Sequence, residues 1–307
     1  MKKDTDFYCL IKRICDEKGI LMRDASFGWV TELQKDGKVR HIVGQTLELN
    51  SVTSFKIASD KFACFSVLMQ NDVPSIQHHM IFNPETRIGY EDNDVSKAMI
   101  LFDRYGGKVI LKANVSSCGK DVFCITSKEE LKRRMIEEFA DKKDSLSLCP
   151  FYEIRYEYRA IFLDGEIMLC FKKIKPFVVG DGKKTLGELV EEAQIEEVRD
   201  GLGLERIPDK DEKVEVSWKH NLSLGGLADL EIEEETRGKV CELAKKAGKA
   251  IGARFVSVDI AEVVDGRLLV MEINSTVCMS KFANNVSNGL QMEYEIFSNA
   301  IEKMFEG

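Results

Sequence analysis

The chain has 307 residues, enough to bury a sizeable core in one large domain or in two to three subdomains. A hydrophobic fraction of 44% and a charged fraction of 31% belong to a globular chain, and a formal net charge of -8 argues against a nucleic-acid backbone as main partner. No apolar run approaches the roughly 20 residues of a membrane span and Met1 to Lys18 has no secretory core, so a cytoplasmic location without a membrane partner is expected. The nine cysteines include no C-x-x-C pair, which supports neither a disulfide framework nor a zinc site.

In chain order, a helix is predicted over residues 4 to 18, where Phe7, Leu10, Ile11 and Ile14 share a face and Gly19 supplies the stop. Short alternating runs from Phe27 to Asn50, around Asp36-Gly37, predict strands. Ser59 or Asp60 caps a helix to about Asn71, and Pro74 ends that element. Val109 to Lys112 has a buried-strand pattern, followed by a polar loop from Asn114 to Lys120, a strand from Val122 to Ile125 and a helix from Ser127 to about Ala140. Tyr158 to Leu163 and Glu166 to Phe171 flank Asp164-Gly165, a hairpin signal. Residues 181 to 216 are rich in charge and glycine, with a helix predicted from Thr185 to Arg199. Helices are also predicted from Glu233 to Ile251 and from Met292 to Phe305.

The stretch from Ser257 to Ser275 carries the strongest chemical signal, because apolar residues flank an Asp265-Gly266 turn. Side chains two apart on a strand share a face, so Glu272 and Asn274 project together, and pairing across the turn brings Asp259 to them. Two carboxylates and an amide oxygen are hard ligands for an octahedral Mg2+ whose remaining positions go to phosphate oxygens. The competing reading is an amphipathic hairpin with a wet polar face.

Further segments point to bound anions. Lys112 ends an apolar strand and needs either an anion or a route to water. The loop after it, with Ser116, Ser117, Gly119 and Lys120, offers hydroxyls, backbone N–H groups and a cation to phosphates. Lys61 lies in the first turn of a helix, where the dipole disfavours a cation unless an anion is bound nearby. Glu157 and Arg159 share a strand face, and the arginine can grip a carboxylate or phosphate with two arms; the alternative is a surface ion pair. Lys172, Lys173 and Lys175 cluster ahead of Pro176 to Gly182, and Asn221 to Gly226 is a glycine-rich loop suited to close approach of an anion. In an acidic chain, these segments together point to a nucleotide.

The order of these segments resembles the ATP-grasp superfamily, and within it the ligase region of cyanophycin synthetase and of bifunctional glutathione synthetases, over most of the chain. Ile57 to Lys61 resembles the start of that region, Val109 to Lys112 its phosphate-lysine strand, and Cys149-Pro-Phe-Tyr-Glu153 its adenine-binding linker. Glu157-Tyr-Arg159, Val178-Val-Gly-Asp-Gly182 and Asn221-Leu-Ser-Leu-Gly-Gly226 match further motifs, and Asp259, Glu272 and Asn274 fall where the family places metal ligands. Two departures stand out. Lys173 replaces a usual arginine, and Ser275 to Phe282 replaces a Pro-Gly and arginine segment near the acyl site.

The resemblance implies an α+β ATP-grasp fold with a short N-terminal portion (1–58), a lid subdomain (59–147) and a C-terminal subdomain for ATP and magnesium (148–307) with a specificity insertion at 183–216. It implies an ATP-dependent carboxylate–amine ligase that forms an acylphosphate and releases ADP and phosphate. A small-molecule kinase and a non-catalytic ATP-binding regulator are the alternatives. The implied cofactors are ATP and Mg2+, for which Mn2+ can stand in, with the metal on Asp259, Glu272 and Asn274. Lys61, Lys112, Ser116, Ser117 and Gly119 would take the phosphates, Pro150, Phe151, Tyr152 and Glu153 the adenine, and Asn221 and Ser223 would complete the cofactor site. Arg159, Lys173 and Asn274 would act on the reacting carboxylate. The implied partners are a small-molecule or peptide carboxylate and an amine, with no nucleic acid or membrane; homodimers are frequent among such ligases.

Overall fold

The computed structural model describes residues 6–85, 95–115, 122–141, 143–195, 197–199 and 201–306. Helix α1 (Asp6–Lys18) buries Phe7, Ile11, Ile14 and Cys15, and Gly19 at φ +64° ends it as expected. It packs on a four-stranded antiparallel sheet of β1 (Leu21–Ala25), β2 (Val30–Lys35), β3 (Lys38–Val43) and β4 (Thr46–Leu47), in that order. Asp36 at φ 49° and Gly37 at φ 75° give the β2–β3 turn the doubly positive backbone that a twisted hairpin needs.

Two helices follow where the sequence predicted one. α2 (Val52–Ser59) is capped by Ser51, whose side chain accepts from the Ser54 N–H. Asp60 ends α2 in an extended conformation and caps α3 (Lys61–Gln70), its carboxylate accepting from the Ala63 N–H at 2.8 Å. β5 (His79–Phe82), α4 (Val95–Arg104), β6 (Val109–Ala113), β7 (Val122–Ile125), α5 (Lys128–Ala140) and β8 (Ser145–Pro150) form a second module with sheet order β5-β8-β6-β7. Strand parity decides its faces. Val109, Leu111 and Ala113 are buried on the helix side, and the intervening Ile110 and Lys112 face the other way.

The large sheet holds the molecule together. It contains β9 (Ile154–Leu163), β10 (Glu166–Ile174), β13 (Leu227–Asp229), β14 (Phe255–Val263) and β15 (Leu268–Asn274), ordered β13-β10-β9-β14-β15 and antiparallel throughout. Tyr158, Ala160 and Phe162 of β9 and Val256, Val258 and Ile260 of β14 pack with α3 and α7 (Glu234–Ala250). A β-carbon on Gly248 of α7 would lie 2.9 Å from the Phe162 ring, so the helix sits close because that position is glycine. The opposite face buries Ile161, Leu163 and Phe255 against α1 and α9 (Gly289–Glu306), with Phe282 of α8 (Ser280–Ala283) in the same core. Farther along β9 that same face carries Glu157 and Arg159.

The segment between β10 and β13 forms a small body of its own from β11 (Phe177–Val179), α6 (Leu186–Glu192) and β12 (Lys213–Glu215). Thr185 and Glu188 form a reciprocal capping box at the start of α6. The helix predicted to reach Arg199 stops at Glu192, because Gln194 turns to φ 53° and drops Ile195 into a core with Leu186, Val190, Val214 and Val216. The architecture is α+β, as the sequence implied.

Candidate active site

Between the second module and the large sheet lies a cleft of about 840 Å³. Its floor is set by register. Leu268 pairs with Glu262 beside the Asp265-Gly266 turn, and continued evenly that pairing would set Asp259 against Met271 and turn it away from Glu272. A β-bulge between Asp259 and Ile260 inserts one residue of β15, so Asp259 pairs with Glu272, and Ser257 with Asn274. Asp259 also pairs with Arg159 of β9, which places Arg159, Asp259 and Glu272 in one row across three strands. A second bulge acts on the β9–β10 hairpin. Its shift between Ile167 and Leu169 brings Lys173, in place of Lys172, opposite Glu157.

These registers create a buried network of two cations and two anions. Arg159 donates from Nε and Nη2 to the two Asp259 oxygens, each at 2.7 Å. Lys173 Nζ lies 3.0 Å from Asp259 Oδ2 and also donates to Glu157 Oε1. His220 Nδ1 is 3.9 Å from the other Glu157 oxygen. Burial alone would raise the Asp259 carboxyl, but Arg159 and Lys173 outweigh it and hold the group well below the usual range. At Glu157 burial wins over Lys173, with Asp259 adding to it, and the carboxyl rises to about 7. Burial works against the Arg159 charge, yet Asp259 keeps the guanidinium protonated.

A second group of charges lies beside this network, around Glu272. Lys61 is 8% exposed, with Nζ 3.8 Å from Glu272 Oε1. Burial lowers its ammonium, Glu272 partly restores it, and Lys112 lowers it further. The start of α3 is tied to the end of β6, because the N–H groups of Lys61 and Phe62 donate to the backbone and side-chain oxygens of Asn114 at 3.2 and 3.1 Å. Lys112, reaching in from β6, has no hydrogen-bonded or ion-pair partner among the described residues. Lys61, with Glu272 beside it, and Lys112 lie close enough for their charges to interact and form an anion-receptive point.

The donors suit a hard cation. Among the described residues no three His, Cys, Asp or Glu side chains converge as a metal cage. Glu272 and Asn274 face the cleft, and Glu272 makes one ion pair, through Oε1 to Lys61. Asp259 accepts three N–H bonds, so about one of its four lone pairs is left. That set fits Mg2+, which keeps most of its coordination for phosphate oxygens and water.

No protein-family profile matches the chain. It is 27% identical over 224 residues to tetrahydromethanopterin:alpha-L-glutamate ligase of Methanocaldococcus jannaschii, covering 71% of this chain and 58% of that protein. It is 24% identical over 196 residues to the glutathione biosynthesis bifunctional protein GshAB of Mannheimia succiniciproducens, covering 55% of this chain and 26% of that one. The structure matches the bifunctional glutathione synthetase from Pasteurella multocida with a TM-score of 0.58 at 17% identity, over 95% of this chain and 44% of that one. The chain has the ATP-grasp fold. It spans less than two thirds of each of these three proteins.

Within this fold the predicted residues Lys112, Pro150, Phe151, Tyr152, Glu153, Arg159, Lys173, Asn221, Ser223, Asp259, Glu272 and Asn274 all line the cleft, and Lys61 lies beside it against Glu272. Ser116, Ser117 and Gly119 fall outside the described residues. Asn221 turns its side-chain oxygen to the Ser223 N–H at 2.9 Å, which shapes its own loop. His220, Trp218 and Lys281 also line the ATP-grasp cleft, and sequence reasoning missed them. Position next to the Asn221 loop was the signal available for His220.

His220 is 8% exposed, and burial pushes its imidazole down to about 4, aided by Lys175 and Lys173. The unfolded chain therefore binds this proton between about pH 6.5 and 4 while the folded chain does not, so stability present above that window is lost as pH falls through it. His220→Gln removes the effect. Urea unfolding of both proteins at pH 7 and pH 4 should show the variant gaining up to about 3 kcal/mol relative to wild type on acidification. An equal gap at both pH values contradicts this assignment.

Proposed function

We propose that the chain is an ATP-dependent carboxylate–amine ligase that joins a small-molecule or peptide acid to an amine through an acylphosphate, with release of ADP and phosphate. The observation that carries this reading is the buried Lys61 of α3, 3.8 Å from Glu272 and close enough to Lys112 of β6 to feel its charge, next to the buried Arg159–Asp259 pair. In this reading the lysines neutralise phosphates and the neighbouring arginine serves the acid. The fold shared with the bifunctional glutathione synthetase is consistent with that division.

In this reading Lys61 and Lys112 hold the nucleotide phosphates, and Pro150 to Glu153 flank the base. Glu272, Asn274 and the remaining lone pair of Asp259 would hold Mg2+, which supplies charge neutralisation on the phosphates when bound. The acid is oriented for in-line attack on the γ-phosphorus, and ADP leaves. The amine then attacks the acyl carbon and phosphate departs. Arg159 Nη1 has no protein partner among the described residues and is the donor for the developing oxyanion, with the Asn274 amide beside it. Lys173 spends its ammonium on Glu157 and Asp259, so it positions Arg159 through that network. A cytoplasmic setting is part of this reading; the eight cysteines among the described residues are free, and no described helix is long and apolar enough to cross a membrane.

Arg159→Lys keeps the charge but loses the two-armed grip on Asp259. Ligation should fall by about 10²-fold or more, with the Kd for Mg-ATP within about threefold of wild type. Calorimetric titration alongside turnover checks this, and a parallel loss of nucleotide affinity would move Arg159 out of the acyl end. The function itself is tested with Mg-ATP and paired pools of acids and amines, by phosphate release and mass spectrometry. A product of mass acid plus amine minus water supports the ligase. A phosphorylated product places the chain among kinases, and ATP binding without turnover in any pool favours a regulator.

A further inference from the structure

When a neutral amine attacks an acyl carbon, the new C–N bond leaves a positively charged nitrogen that must lose a proton. Arg159 and Lys173 act as hydrogen-bond donors at this point of the cleft, and Asp259 has most of its lone pairs taken by them. His220 lies against the same network. It sits between β12 and the Asn221 loop, is 8% exposed and lines the cleft. Its place is fixed from both sides. Val216, four residues earlier, is buried in the core of the small body, and Lys219 turns away to Glu197 at 2.7 Å. After it, the Asn221 carbonyl accepts from the Gly226 N–H at 2.9 Å. A β-carbon on Gly226 would lie 2.8 Å from the Asn221 and Ile174 carbonyl oxygens, so the loop is pressed onto the end of the strand that carries Lys173.

A carboxylate orients the imidazole. Nδ1 lies 3.9 Å from Glu157 Oε2, and Lys173 holds Glu157 Oε1. With its proton on Nδ1, toward Glu157, the ring leaves the Nε2 lone pair for a ligand. Neither ring nitrogen makes a hydrogen bond among the described residues, and neither is sealed off from solvent. The charged groups around the ring are Lys173 and Lys175 from β10, Glu157 from β9, and Lys219 beside it. Burial, aided by Lys175 and Lys173, keeps the imidazole uncharged down to about pH 4, so its lone pair is available throughout the neutral range. The same cations repel an ammonium ion and favour an amine that arrives without its extra proton.

On the ligase reading, we propose that His220 is the general base for the attacking amine and that Glu157 positions its imidazole. The amine lone pair forms the C–N bond, and the carbonyl electron pair moves onto oxygen, toward Arg159 Nη1. The proton on nitrogen passes to His220 Nε2, and Glu157 offsets the charge of the imidazolium. The oxyanion then re-forms the carbonyl, the bond from carbon to the bridging oxygen breaks, and phosphate leaves with that electron pair. His220 returns its proton to solvent. A nitrogen newly bonded to this tetrahedral carbon is far more acidic than a free ammonium, so a weak base suffices.

Hydroxylamine separates the two half-reactions, because it traps acylphosphates without a basic catalyst. The whole protein is incubated with Mg-ATP and the acid pools, once with hydroxylamine and once with the amine pools, and hydroxamate and amide are measured by mass spectrometry. His220→Gln should form hydroxamate within about threefold of the wild-type rate while amide formation falls by about 10²-fold or more. An equal loss of both products, or amide formed at the wild-type rate, would overturn the assignment. If the glutamine variant does not fold, His220→Asn, also uncharged, decides by the same comparison. Wild type that forms amide but no hydroxamate would remove the acylphosphate step, and wild type that forms neither would overturn the ligase reading; the assignment of His220 falls with either.

Discussion

Glu272→Ala is expected to abolish turnover, with a loss of about 10²- to 10³-fold or more, while far-UV dichroism stays that of wild type. The carboxylate faces the cleft, with its side chain 30% exposed and one ion pair to Lys61 at 3.8 Å. Of the two carboxylates proposed for the metal, it is the one not already engaged by Arg159 and Lys173. Little packing is lost, because Glu272 lies on the open face of β15 and the apolar neighbours Val270 and Ile273 are untouched. Mg2+ should then cease to tighten ATP binding. Calorimetric titration of ATP with and without Mg2+ measures this, and a variant that keeps wild-type turnover removes Glu272 from the metal site.

The largest effect on stability belongs to Asp259→Ala. Asp259 is 3% exposed and holds both arms of Arg159 and the Lys173 ammonium. Alanine leaves two cations facing each other in the sheet with Glu157 alone to offset them, and removing one side of such a buried pair typically costs about 3–5 kcal/mol. The midpoint of urea unfolding at pH 7 should fall accordingly. The sign with pH follows from the depressed carboxyl: the stabilisation is present above the ordinary carboxylate range and is lost only as pH falls toward the folded value. A loss below about 1 kcal/mol would show that the network contributes little to the fold.

What was legible in the sequence was local. Turn chemistry at Asp36-Gly37 and Asp164-Gly165 marked two hairpins, and the structure gives Asp36 and Asp164 positive φ angles of 49° and 46°. The two-residue spacing of Glu272 and Asn274 fixed their shared face whatever the partner strand did. The cross-strand relations were less accessible, because a single inserted residue reverses them. Even pairing from the Asp164-Gly165 and Asp265-Gly266 turns would have matched Lys172 with Glu157 and Met271 with Asp259; the bulges substitute Lys173 and Glu272. Neither bulge is marked by a glycine or a proline. The grip of Arg159 on Asp259 joins residues 100 positions apart and depends on the same registers. α2 escaped notice because Asp60 reads forward as the cap of α3 and hides its role as the stop of the helix before it.

The measurement closest to the central claim follows oxygen. With the acid and amine identified from the pools, the carboxylate is labelled with oxygen-18 and the released phosphate is analysed by mass spectrometry. The acylphosphate account expects one labelled oxygen in each phosphate formed, because the bond from acyl carbon to the bridging oxygen breaks when the amine attacks. Phosphate free of label, with amide formed at the normal rate, would contradict it.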